Sequence, residues 1–232
     1  MFYAVIGIIL AAGAYLLFRS TTPQGDDSFN LDPATIASLT ADAPRGMIIG
    51  DTSSAVLVKE FADFECSACM SFATLTEPDV RRQLVETGQI AFEYYFFPLE
   101  QHPNSGNAAH AAACANDQGR FWEMHDAIFQ GFNQWALQES RNPKRTFQGY
   151  ARNAGLDVGE WERCYDDRRH HDLIRSHIAL GVQLGVNSTP TFVFNGRVVP
   201  GALRWEQFRA EAEQAGAQAQ RDAGVELDIG VE

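Results

Sequence analysis

The sequence predicts an α/β protein, a β-sheet core interrupted by a block of helices and preceded by an N-terminal membrane-anchor helix. Three observations carry this. Short β-branched or aromatic runs stand at 55–61 (AVLVKEF) and 90–97 (IAFEYYFF), and a hairpin signal follows at 191–199. Between the second run and the hairpin, residues 104–184 place apolar side chains at helical spacing and hold no strand-like run. Residues 2–18 carry no charge at all.

The uncharged segment, Phe2 to Phe18, reaches roughly 25 Å as a helix at about 1.5 Å per residue, the thickness of a thin bilayer core. Phe2, Tyr3, Tyr15 and Phe18 mark its two ends, where aromatic rings favour the headgroup level. Signal-peptide cleavage after Ala14 is the alternative, and it would leave Tyr15-Leu16-Leu17-Phe18 on the mature end. Arg19 is the one nearby positive side chain and lies C-terminal to the segment, so flanking charge does not orient it. Residues 20–46 are rich in Ser, Thr, Asp, Pro and Ala and read as a linker, with one short helix from Pro33 after an Asp32 cap.

The first strand, 55–61, follows the turn residues Asp51-Thr52-Ser53-Ser54. Cys66-Ser67-Ala68-Cys69 then opens a helix to about Glu86, with Pro78 as a kink or restart. The second strand, 90–97, is apolar on both faces except at Glu93, as an interior strand should be. The helical block 104–184 is anchored by residues such as Ala111, Phe121, Trp122, Phe147, Trp161 and Ile178. In the hairpin, Asn195-Gly196 tolerates the positive φ angles of a type I′ turn. A last helix covers about 203–215, and residues 217–232 form a polar tail.

Composition narrows the function. Eighteen Lys and Arg against thirty Asp and Glu give a net charge of −12, which repels a phosphate backbone and excludes nucleic-acid binding. Four cysteines are too few for a disulfide-built scaffold. No G-x-S-x-G, H-E-x-x-H or Gly-rich phosphate loop is present. The six histidines form no metal pattern: His110 and His125 fall among helix-core residues, and His170 and His171 in a charged, solvated run.

The chemistry lies in the C-x-x-C. Unpaired N–H groups and the macrodipole at a helix start stabilise an anion, so Cys66 is the candidate thiolate nucleophile and Cys69, one turn in, the resolving thiol. Zinc uses the same spacing but needs two more ligands, and Cys114 and Cys164 each stand alone, so no metal site is expected. Whether those two are bridged or are buried free thiols is open on the residues alone. Glu60, six residues before Cys66, shares the Val56/Val58 face if the strand alternates, and there an acid could exchange a proton with Cys69. The alternative is an edge carboxylate paired with Lys59. Thr189-Pro190-Thr191 opens the hairpin, and an ordinary trans proline at a strand start satisfies that pattern.

Three segments, V-L-V-K-E-F-A-D-F-E-C-S-A-C, A-A-C-A-N-D-Q-G-R-F-W-E-M-H-D-A-I-F and G-V-N-S-T-P-T-F-V-F-N-G, resemble the DsbA-like thiol–disulfide oxidoreductases, in order over about residues 46–215. The resemblance implies a thioredoxin fold with an inserted helical domain, at about 104–184 within a domain of 47–216, between the anchor of 1–19 with its linker and the tail. It implies catalysis by Cys66 and Cys69 with Glu60 assisting, a cis Pro190, and Thr189 binding substrate backbone as an added strand. It is particularly similar to the subset with a second cysteine pair, which implies a Cys114–Cys164 structural disulfide. The implied activity is disulfide exchange with cysteine-containing proteins, most directly as an oxidant, with a membrane redox partner that recycles the pair. The uncharged N-terminal segment adds a single-pass tether to a bacterial cell membrane, with the catalytic domain in the periplasm or otherwise outside the cytoplasm. No dissociable cofactor is implied, since the cysteine pair carries the electrons. A reductase or isomerase of the same fold, or a redox-inactive metal-binding module, are the alternatives. One departure is Ser67-Ala68 between the cysteines, without the proline, histidine or aromatic residue common there. Cys66 is therefore expected to be less acidic than in the strongest oxidants.

Overall fold

The computed structural model describes residues 31–40, 45–136 and 143–228. The expected anchor, 1–19, lies outside them. Among the described residues, no helix is long and apolar enough to cross a membrane.

The chain forms α1 (Pro33–Thr40), β1 (Met47–Ile49), β2 (Leu57–Ala62), α2 (Ser67–Leu75), α3 (Glu77–Val80), a π-helical turn (Arg81–Val85) and β3 (Ala91–Phe96). Helices α4 (Ser105–Asn116), α5 (Phe121–Gln130), α6 (Phe132–Trp135), α7 (Lys144–Asn153), α8 (Val158–Asp166) and α9 (His171–Gln183) follow. Strands β4 (Thr191–Phe194) and β5 (Arg197–Pro200) and helix α10 (Trp205–Asp228) end it.

The sheet order is β1-β3-β2-β4-β5. Strands β2 and β3 are parallel, which requires a crossover, and α2, α3 and the π turn provide it. All six residues of β3 and all four of β4 are buried, as their apolar runs demand. The exposed β5 is an edge strand, where Pro200 needs no ladder partner. Asn195 (φ 44°) and Gly196 (φ 95°) occupy the left-handed region that the two-residue turn requires.

Alternation splits the sheet's side chains between two layers. Val58, Glu60, Phe92, Tyr94, Phe192 and Phe194 share one face, paired through the β2–β3 and β2–β4 registers. Phe72 of α2, Trp122 of α5 and Phe208 of α10 cover it. The opposite face presents Lys59, Phe61, Glu93 and Tyr95, and α9 lies against it through His177. Gly181 permits that approach, since a Cβ there would stand 2.7 Å from the Phe97 ring. A disulfide between Cys114 and Cys164 joins α4 to α8.

Three local expectations change. The three-residue β1 was not anticipated from so short a run; it adds to the edge of β3, Met47 opposite Tyr94. Part of the linker is docked: Asp32 Oδ1 accepts the N–H groups of Ala34 and Thr35, and α1 packs on α9. The last helix does not stop at 215 but runs through the expected polar tail to Asp228. Gly216 sits beside Val56 there, and the helix-favouring Ala, Gln and Arg beyond it carry the helix on.

Candidate active site

The chain leaves β2 at Ala62 and turns so that the Cys66 N–H donates to the Asp63 carbonyl at 3.1 Å. Cys66 is the N-cap of α2, with extended backbone (φ −83°, ψ 122°), and its carbonyl accepts the Met70 N–H. Cys66 is 9% exposed. The thiol donates at 3.4 Å to the carbonyl of Thr189, which precedes a cis bond to Pro190. Cys69, one turn on, is fully buried, and its Sγ accepts the Asp63 N–H at 3.5 Å. Both are free thiols.

The two sulfurs are opposite in character. A hydrogen bond from the Cys69 thiol, aided by the N–H groups of Cys69 and Ala68, outweighs burial and lowers the Cys66 pKa from 9.0 to about 5. Burial above all, then the neighbouring Cys66, pushes Cys69 well above the ordinary thiol value. The outer sulfur is thus a thiolate at neutral pH and the inner one a protonated thiol.

Glu60 is 1% exposed beneath them. Burial first, then the carboxylate of Glu77, raises its pKa well above the usual carboxylate range, with Arg81 opposing. The alternative pairing with Lys59 does not occur. The Lys59 ammonium lies on the other face, 2.7 Å from Glu93, which also accepts from the Tyr95 hydroxyl.

Three further residues at the site were not anticipated. The Asp63 carboxylate accepts the N–H groups of Glu65 and Leu99 and lies 2.7 Å from His102 Nδ1. Glu65 accepts the Asn104 N–H at 2.6 Å. These two acids fasten the loop after β3 to the turn that carries Cys66, and the bond to Asp63 raises the His102 pKa. Asp63 and Glu65 stand inside the D-F-E-C motif, where their spacing to the cysteines was a usable signal; His102 is brought in from 39 positions away.

Among the described residues, one set of three possible metal ligands converges, Cys114, Cys164 and His170, within 4.8 Å. Its two sulfurs are joined to each other, so they are not available to an ion. No third ligand of this kind joins Cys66 and Cys69 among the described residues.

A C-x-x-C pair at the start of the crossover helix, beside a cis proline that precedes β4, defines a thioredoxin-fold protein. Residues 42–213 match the family model Thioredoxin_4, and the chain belongs to this thioredoxin family. The fold is that of DsbA-like proteins. It superposes on α-DsbA1 of Wolbachia pipientis with a TM-score of 0.68 at 20% identity, covering 78% of this chain and 95% of that one. BdbD of Bacillus subtilis gives 0.66 at 19% identity, covering 76% and 99%. A thioredoxin-like oxidoreductase from Silicibacter pomeroyi gives 0.61 at 26% identity, covering 77% and 96%. By sequence the chain is 34% identical over 179 residues to the Na(+)/H(+) antiporter NhaA 3 of Salinispora tropica, over 77% of this chain and 26% of that protein. It spans about a quarter of the length of the curated relatives it matches.

Proposed function

We propose that this protein oxidises dithiols of protein substrates through its Cys66–Cys69 pair, as a thiol–disulfide oxidoreductase working outside the cytoplasm. The observation that carries the reading is the geometry of the pair: Cys66 caps the start of the crossover helix beside the Thr189 carbonyl and cis Pro190, and Cys69 lies fully buried one turn behind it, with the pKa lowered at the outer sulfur and raised at the inner one. In the oxidised form, a substrate thiolate attacks Cys66 Sγ. A Cys66–substrate disulfide forms, the Cys66–Cys69 bond breaks, and Cys69 takes up a proton for which Glu60 is the source. A second substrate thiolate then attacks the substrate sulfur, and Cys66 leaves as the stabilised thiolate. Two electrons have passed from substrate to the pair.

Stabilising the leaving thiolate favours the reduced enzyme, which is what an oxidant needs. A Cys66 pKa of about 5 lies between about 7 for thioredoxin and about 3.5 for DsbA, in keeping with a strong but not extreme oxidant that lacks a histidine between its cysteines. The Thr189 carbonyl, 3.4 Å from Cys66 Sγ, is placed to align substrate backbone beside the reacting sulfurs. The cysteine pair serves as the redox carrier without a dissociable cofactor, and a membrane redox partner reoxidises it. Residues 1–19 anchor the domain to the cell membrane on the periplasmic side. Ion exchange is named for much longer proteins and has no part in this reading.

Trapping tests it. Cys69→Ser should accumulate reducible mixed disulfides between Cys66 and substrate proteins, whereas Cys66→Ser should form none. Equal trapping by both variants refutes the division of roles.

A further inference from the structure

Beneath the cysteine pair lies a second set of buried titratable groups that disulfide exchange, as described, leaves unused. Glu77, at the start of α3, is 1% exposed, as is Glu60. Arg81 holds one of its oxygens: Nε and Nη2 donate to Glu77 Oε1 at 2.8 and 2.5 Å. The other oxygen, Glu77 Oε2, has no hydrogen-bond partner among the described residues, and neither do Glu60 Oε2 and the Tyr94 hydroxyl. Tyr94 is the β3 residue opposite Glu60 on the same face, and the Glu77 carboxylate acts electrostatically on both. Native interiors rarely leave such groups unpaired.

The cluster has an outlet. Glu77 Oε2 lies 3.7 Å from His125 Nε2, and the other ring nitrogen, Nδ1, lies 2.8 Å from Asp126 Oδ1. The imidazole is fully buried, caged by the rings of Phe64, Tyr94, Trp122 and Phe129. The polar groups that meet it are Glu77 on one side and Asp126 and Arg81 on the other. The Asp126 side chain is 41% exposed, and with Arg81 it lines an open surface pocket of about 310 Å³. An imidazole that faces an acid with each nitrogen can accept a proton at one and release it from the other.

We propose that Glu77 and His125 form a proton route joining Glu60, beneath the cysteines, to the open pocket at Arg81 and Asp126. The inference rests on the oxidoreductase reading and on Glu60 as the proton source. As the Cys66–Cys69 bond breaks, Cys69 takes the Glu60 proton, and the Glu60 carboxylate is refilled by a proton that enters from solvent at the open pocket beside Asp126 and passes through His125 and Glu77. The reverse transfer removes the proton when the pair is reoxidised. No electron moves along the route. Arg81 holds Glu77 in place and tempers its charge. Besides Glu77 and Arg81, the charged or titratable groups acting on Glu60 are Cys66, Cys69 and Tyr94.

The test measures how fast the Cys69 thiol resolves a Cys66–glutathione mixed disulfide, against pH and in H₂O and D₂O, for wild type, Glu60→Gln, Glu77→Gln, His125→Phe and Asp126→Asn. Phenylalanine suits the aromatic cage but carries no proton, so His125→Phe should resolve at least roughly tenfold more slowly with a larger D₂O effect. Glu77→Gln removes the like charge beside Glu60 and should move the Glu60 limb of the pH profile down. The exposed Asp126→Asn, which leaves the buried groups in place, should raise the D₂O effect and serves if Glu77→Gln does not fold. If Glu60→Gln alters rate and profile while folded His125→Phe and Asp126→Asn match wild type in both, the route is refuted and Glu60 keeps its role. If Glu60→Gln itself matches wild type, the role of Glu60 falls and the route falls with it.

Discussion

Replacing Cys69 by alanine removes the side chain that contributes most to the acidity of Cys66 while leaving the helix-start N–H groups of Ala68 and residue 69 in place. A hydrogen bond to a charged group is worth about 1.5–3 kcal/mol, and one pKa unit corresponds to about 1.4 kcal/mol, so its loss should raise the Cys66 pKa by about one to two units. The midpoint would move from about 5 to between about 6 and 7. At pH 5, where half of the wild-type sulfur is thiolate, the variant should alkylate about 5- to 50-fold more slowly. Near pH 8 the two should converge. The assay is iodoacetamide modification of the reduced protein across pH, with thiolate ultraviolet absorbance as an independent titration. In wild type, Cys69 should stay unmodified throughout that range, since burial holds it protonated. A midpoint that stays at about 5 in Cys69→Ala would refute the reasoning and assign the thiolate's stability to the helix start alone.

Other outcomes follow from the same geometry. If thiolate stability alone separates this pair from thioredoxin's, its potential should lie roughly 50 mV above thioredoxin's value of about −270 mV; a value near thioredoxin's would favour the reductase reading. Replacing Cys114 and Cys164 by alanine, which opens a loop with a sequence separation of 50, should cost roughly 4 kcal/mol in urea unfolding while the trapped adducts persist. Adducts formed through either of these cysteines would make the second pair a relay rather than a brace. His177 is buried and accepts the Phe96 N–H at Nδ1, and burial lowers its pKa from 6.5 to about 3. Its folded form resists protonation that the unfolded chain accepts, so its contribution to stability is whole above pH 6.5 and is lost as pH falls toward 3. Between pH 6.5 and 5, wild type should lose up to about 2 kcal/mol more than His177→Gln; parallel pH dependences would contradict this.

The sequence by itself determined what short-range rules govern. Periodicity marked β2, β3 and the helices between β3 and β4, Asn195-Gly196 marked the turn, and Cys66-Ser67-Ala68-Cys69 marked a thiol pair at a helix start, because each depends on residues a few positions apart. Even the docked α1 was legible at Asp32-Pro33. The tertiary structure decided the rest. Whether Lys59 paired with Glu60 or with Glu93 depended on strand register: adjacent residues point to opposite faces, and the parallel β2–β3 pairing set Glu93 beside Lys59. Glu60 was thereby left in the layer of Tyr94, Glu77 and Arg81. His125 looked like any histidine on an apolar helix face, since nothing along the chain announces that Glu77 will meet its far nitrogen. Asp63 and His102, likewise, become partners only when the loop after β3 folds back over the cysteine turn. Local preferences choose elements, but the charge a buried group carries is fixed by the neighbours that folding brings from distant positions, and desolvation makes those neighbours decisive.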